Sequence, residues 1–400
     1  MKQKVIFAGI MVAVLFLAPV EFSSAPKNRP VAEIHFDAVL GGMAFFPATV
    51  NSAGPFQFLL DTGGAGSHLD REVASKMGLE MESGVASVSG AANLEVGVIP
   101  DAQLSVGAAS MRGHLIASPI APLEPILGRP FEGVVGGDFL QRYVLELNFE
   151  KEVMRLYEPK AFQYTGRGQS LSISFAQEIP FVKLEISLPN GKSAQGDFLI
   201  DTGGNMSVHL HRQVADREGL LEGLPSLQEE GHGMGGVTNR KVVRGAMLSL
   251  GSYRLPRPIV AVTEDTAGLR TNPNSLGLIG MEALWRFNLT FDYSRHRLHL
   301  EPNRNFRAPF VYDTSGLLLR ANRPSFSPPY VSGVRDTSPA KTAGIEVGDV
   351  MVQIDGRSAS TLSLENIRAM LRSPGQTRRL SFSRQGKIFD VSLKTRDLLE

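Results

Sequence analysis

Four hundred residues, 42% hydrophobic and 20% charged, suit two or three folded domains with sizeable cores. A net charge of +1, from 41 basic and 40 acidic residues, argues against a nucleic-acid partner, which needs a basic face to displace counterions. No cysteine is present, which excludes disulfides, thiolate catalysis and cysteine-ligated metal centres.

The chain opens with a basic head, Met1-Lys2-Gln3-Lys4, and an uncharged apolar run from Val5 to Val20. Ser23-Ser24-Ala25 then gives a small-x-small end before Pro26. This layout predicts a secretory signal peptide over residues 1–25, cleaved after Ala25. The apolar run falls just short of a spanning helix, so an uncleaved anchor is the alternative, and only then is the membrane a partner. Either way the remainder is expected outside the cytosol, periplasmic or secreted.

Two copies of one plan follow. Phe56 to Leu60 runs into Asp61-Thr62-Gly63-Gly64, and Asp197 to Ile200 runs into Asp201-Thr202-Gly203-Gly204. Gly133-Val134-Val135-Gly136 before Phe139-Leu140 matches Gly277-Leu278-Ile279-Gly280 before Ala283-Leu284. Each copy closes on a strand-like segment, Val144 to Pro159 and Asn288 to Pro302. Val182 to Ile186 alternates with period two ahead of the turn Pro189-Asn190-Gly191, which predicts a hairpin; Asn51 to Pro55 plays that part in the first copy. Short helices are expected at Arg71 to Met77 and Arg212 to Leu220. The boundaries read as 26–160 for the first lobe, 161–303 for the second and 304–400 for a C-terminal module.

Paired carboxylates explain the repeat chemically. Two aspartates face to face share one proton, because like charges a few ångströms apart do not both ionise cheaply. The ionised member takes a proton from water as it attacks a peptide carbonyl, and the protonated member stabilises the oxyanion. Thr62 and Thr202 can tie the loops together, and Gly63 and Gly203 let the backbones approach. A lone Asp-Thr-Gly arises by chance in roughly one chain of this size in ten. Asp265-Thr266, Asp313-Thr314 and Asp336-Thr337 show how common Asp-Thr is as turn chemistry. Two copies in matching contexts point to a dyad instead.

On these motifs, residues 45 to 302 resemble retropepsin-like aspartic proteases, as a tandem single-chain version of the retroviral-type dimer. The resemblance implies a mainly β fold: two retropepsin-like β-barrel lobes forming one bilobal aspartic protease unit. It implies Asp61 and Asp201 as the catalytic pair, with Thr62, Gly63, Thr202 and Gly203 supporting the active-site loops and no cofactor. It also implies glycine-rich flaps, which Ser83 to Asn93 and Glu230 to Asn239 would supply. One departure is Gly64 and Gly204, where the family usually has Ser, Thr or Ala. Neither candidate flap contains tyrosine.

Residues from about 310 to 399 resemble a PDZ domain of the bacterial type (α+β), through Ser338-Pro339-Ala340, Ala343-Gly344-Ile345, Gly348-Asp349-Val350 and Ile354-Asp355-Gly356. That implies a C-terminal peptide as ligand, taken as an added strand. Gly316, Leu317, Leu318 and Leu319 would form the carboxylate loop and strand; Leu364, Ile367 and Leu371 would line the groove or pack the core. No serine-nucleophile elbow or His-Glu-x-x-His stretch occurs. His209 and His211 lack a third metal ligand in sequence and are expected as solvated surface residues.

The reading is an exported aspartic-type endopeptidase acting on peptide or protein substrates. The alternatives are a non-catalytic peptide-binding scaffold that keeps both loops, and an enzyme whose lobes pair between chains.

Overall fold

The computed structural model describes residues 28–87, 93–263 and 275–400. The expected leader lies outside these residues, as do residues 88–92 of the first candidate flap.

Each copy of the repeat folds into the same arrangement. In the first, strands Met43–Val50 and Ala53–Leu60 form a hairpin. Ala53–Leu60 passes from half-exposed to fully buried as Phe58, Leu59 and Leu60 enter the core. Burying each such side chain contributes about 1.5–3 kcal/mol, enough to fix where the strand delivers Asp61. Gly133–Val135 runs parallel beside it, and His68–Asp70 lies antiparallel on the far side. In the second copy, Ile179–Ser187 and Ser193–Asp201 form the hairpin around a turn at Gly191. Gly277–Gly280 is its parallel neighbour, and Val208–Leu210 lies beyond. The expected helices are present as Arg71–Lys76 and Arg212–Arg217.

The copies join through one antiparallel pair. Val144–Asn148 of the first lies against Phe287–Asp292 of the second, with Leu145 opposite Phe291 and Leu147 opposite Leu289. Val153–Tyr157 and Arg297–Pro302 flank this pair, and Ala32–His35 and Gln169–Ala176 lie outside them. A local two-fold relation thus runs between the central strands. One hydrophobic cluster spans both copies, including Phe45, Phe58, Leu145, Phe198 and Phe291.

The C-terminal module has its own core and a six-stranded sheet with Leu317–Arg320 at one edge. Its helix Leu364–Leu371 starts at Ser363, whose hydroxyl accepts from the Asn366 N–H. Among the described residues no helix is long and apolar enough to cross a membrane.

Candidate active site

Both Asp-Thr-Gly loops leave the core at the ends of equivalent buried strands and meet. Thr62 and Thr202 are fully buried and cross-linked. Thr62 Oγ1 donates to Ile200 O at 2.6 Å and accepts from Thr202 N at 3.1 Å. Thr202 Oγ1 donates to Leu60 O at 3.0 Å and accepts from Thr62 N at 2.9 Å. Four hydrogen bonds therefore lock together loops 140 residues apart in sequence. At a net contribution of about 1 kcal/mol each, they favour the paired arrangement of two short loops that their strands already anchor.

The glycines let the carboxyls approach. A Cβ on Gly203 would sit 2.5 Å from Asp61 Cγ, and one on Gly63 would sit 3.0 Å from Asp201 Oδ1. Each glycine thus lies against the aspartate of the other lobe, and Asp61 and Asp201 share a hydrogen bond. Burial of the floor pushes the Asp61 carboxyl above its ordinary range. Hydrogen bonds from the Gly63 N–H and with Asp201, then from Gly64 and Gly203, oppose that shift without cancelling it.

The apolar-apolar-Gly segments hold the loops from behind. Gly137 N donates to Gly64 O, and Met281 N to Gly204 O, both at 2.8 Å. A Cβ on Gly136 would lie 2.3 Å from Gly66 O, and one on Gly280 the same distance from Met206 O. Only glycine allows this contact. Asp138 further braces the first loop through the Ser67 N–H (3.0 Å) and hydroxyl (2.6 Å).

Above the aspartates opens a cavity of about 630 Å³. Two hairpins at the expected flap positions line it, through Val85, Ala86, Val96 and Val98 in one lobe and His232, Gly233 and Met234 in the other. Leu123, Ile126 and Leu127 add an apolar wall.

Other candidates fall elsewhere. His209 and His211 are buried rather than solvated: His209 sits on strand Val208–Leu210, which runs between Gly277–Gly280 and Ile259–Thr263 in the middle of a sheet, and His211 follows directly, its Nε2 2.9 Å from Ser275 Oγ. No cluster of metal-ligating side chains occurs among the described residues. In the C-terminal module, Leu364, Ile367 and Leu371 pack its core together with Leu317 and Leu319, whereas Leu318 is 39% exposed. Gly316 precedes the edge strand with φ +80°, and the Arg368 guanidinium donates to Leu319 O on that strand.

Among the cavity residues, His68 and Arg240 are not anticipated by the sequence motifs, and His209, expected as a solvated surface residue, lines the cavity as well. Burial pushes the His68 imidazole down to about 4, so it is neutral near pH 7 beside Ser118 Oγ at 2.8 Å. The equivalent strand positions of His68 and His209 were open to discovery from the repeat, since each lies seven or eight residues after its aspartate.

The aspartyl protease family model matches residues 46–139 and 182–283, one stretch in each lobe, and a PDZ domain model matches 330–383. The two lobes are retropepsin-like aspartyl protease folds, and the C-terminal module is a PDZ domain. Comparison with curated proteins finds no match.

Proposed function

We propose that this chain is an exported aspartic-type endopeptidase whose Asp61/Asp201 pair activates water. The observation that carries this reading is the reciprocal threonine lock, which brings the two carboxyls into hydrogen-bond contact on the floor of a cavity of peptide-binding size. In the shared-proton state the ionised carboxylate takes a proton from water as its oxygen attacks the scissile carbonyl. The protonated carboxyl donates a hydrogen bond to the carbonyl oxygen as negative charge develops there. Which aspartate starts as base is a property of the coupled pair and its ligand. Intact aspartates in both loops favour catalysis over a scaffold, and one chain supplies both halves of the cleft. The PDZ edge strand Leu317–Arg320 offers a strand-addition site for a C-terminal peptide, which has to displace Arg368 from Leu319 O.

An unbiased peptide library, incubated from acid to neutral pH with wild type, Asp61→Asn and Asp201→Asn, tests the reading. Wild type is expected to cut, and each substitution to lower turnover by about 10³-fold or more. Because Asp61 keeps its proton to a higher pH than an ordinary aspartate, activity should extend above the usual carboxylate range and fall as pH rises through the raised value. Absence of turnover at every pH, or full activity in either variant, sinks the proposal. Mass spectrometry of the exported protein should place its N-terminus at Pro26; a retained leader would favour the anchor.

A further inference from the structure

We infer that Arg240 sets substrate choice, so that the second lobe's side of the cleft takes an acidic side chain where the first lobe's side takes an apolar one. This inference rests on the endopeptidase reading and names its substrate class.

Strand register makes the comparison between lobes. His68 pairs with Val134 and Ile116, and His209 pairs with Leu278 and Ala261. Ile116 lies opposite Val98, and Ala261 opposite Val242. Two residues earlier on those flap strands, on the same face, stand Val96 and Arg240. Both line the cavity. Arg240 therefore occupies in the second lobe the place that Val96 occupies in the first.

The cation is installed with its own support. Val96 faces Gly84 across its hairpin, whereas Arg240 faces Glu229. Arg240 Nη2 meets Glu229 Oε1 at 2.9 Å, and Glu229 is shared with Arg335 (3.2 Å) and the Tyr312 hydroxyl (2.6 Å). Burial pushes the Glu229 carboxyl up, but Arg240 and Arg335 together outweigh it and hold the group below its ordinary range. Arg240 Nη1 lies 3.3 Å from His209 Nε2; a guanidinium only donates, so that nitrogen accepts and the imidazole is neutral. Arg240 Nε is buried with no hydrogen-bond partner. Apart from the two aspartates, Arg240 is the only ionised side chain near pH 7 among the described residues lining the cavity, its histidines aside.

A buried arginine–glutamate pair gives little net stability over well-packed apolar residues, and the other lobe does without one at the equivalent positions Val96 and Gly84. Presenting that guanidinium to the cleft instead gives a rigid, charge-assisted donor to an incoming carboxylate. An apolar or basic side chain there leaves the donor unsatisfied or repelled.

The test uses full-length Asp201→Asn protein, which holds peptides without the complete dyad, and C-terminally amidated peptides, which remove carboxylate capture by the PDZ domain. Matched sets carry Glu, Gln, Leu or Lys at each position in turn, with affinity read by fluorescence anisotropy. At one position Glu is expected to bind about 10-fold more tightly than Gln and more tightly still than Lys, and added Arg240→Met should abolish the difference. Equal affinity for Glu and Gln at every position overturns the inference, as does a preference that survives Arg240→Met in a variant with unchanged melting. The Glu, Gln and Lys ranking decides the matter alone if Arg240→Met does not fold. Binding selectivity without wild-type turnover would remove the endopeptidase reading and leave the acidic subsite standing.

Discussion

At the fourth position of each Asp-Thr-Gly-Gly loop, two identical glycines have unequal surroundings. A Cβ on Gly204 would lie 2.6 Å from Asp201 Oδ2, closer than real contacts allow. On Gly64 the nearest atom, Asp61 Oδ2, would be 3.5 Å away, an ordinary contact. The departure from the family pattern is therefore required in the second loop and permissive in the first. Gly64→Ala is expected to keep peptide turnover within about threefold of wild type, whereas Gly204→Ala should lose about tenfold or more by displacing a reacting carboxyl. Equal effects from the two substitutions, measured as kcat/KM on one peptide, would contradict this asymmetry. A sequence shows the two glycines as the same letter; only the close approach of Asp201 tells them apart.

Paired elements carry what was most legible beforehand. The buried strand, the Asp-Thr-Gly turn and the apolar-apolar-Gly backing segment are local patterns repeated with a nearly constant spacing, so their partnership could be read from the chain. The threonine lock depends on the loops meeting. Thr62→Val keeps the shape of the side chain but strips the acceptor from Thr202 N–H and the donor from Ile200 C=O, both at a buried junction. Each unsatisfied group costs about 1–3 kcal/mol, so the variant should melt some 5–10 °C lower. An unchanged melting temperature would mean that the loops are held by their strands alone. Less legible was strand Val208–Leu210, whose His209 looks like a surface residue in a sequence and becomes buried because strands from distant parts of the chain cover both edges. The same holds for helix Leu364–Leu371, where a spacing of three and four fits a groove or a core equally well, and burial decides for packing.

On the scale of the whole molecule, the PDZ domain touches walls of the cavity above Asp61 and Asp201 in both lobes. Ala321 N donates to Pro125 O at 2.9 Å, and Arg323 pairs with buried Glu124, beside the cavity residues Leu123, Ile126 and Leu127. On the opposite lobe, Arg335 reaches Glu229, and Arg320 lies 3.3 Å from His232 of the flap hairpin. None of these partnerships has a sequence signature, since Glu124 and Arg323 are 199 residues apart. The chain entering and leaving the PDZ domain converges on one side chain: Arg244 donates to Phe310 O at 2.8 Å and pairs with Asp397. Both members of that ion pair are more than nine-tenths buried. Removing one partner leaves the other charge desolvated, which costs about 3–5 kcal/mol. Because the pair lies between the second lobe and the PDZ exit, Asp397→Ala should loosen that junction first and spare the six-stranded seam between the lobes. Limited proteolysis is expected to cut the variant in the 304–316 connection at concentrations that leave wild type intact. Protection equal to wild type would show that the contacts at Glu124 and Glu229 hold the PDZ domain in place without Arg244.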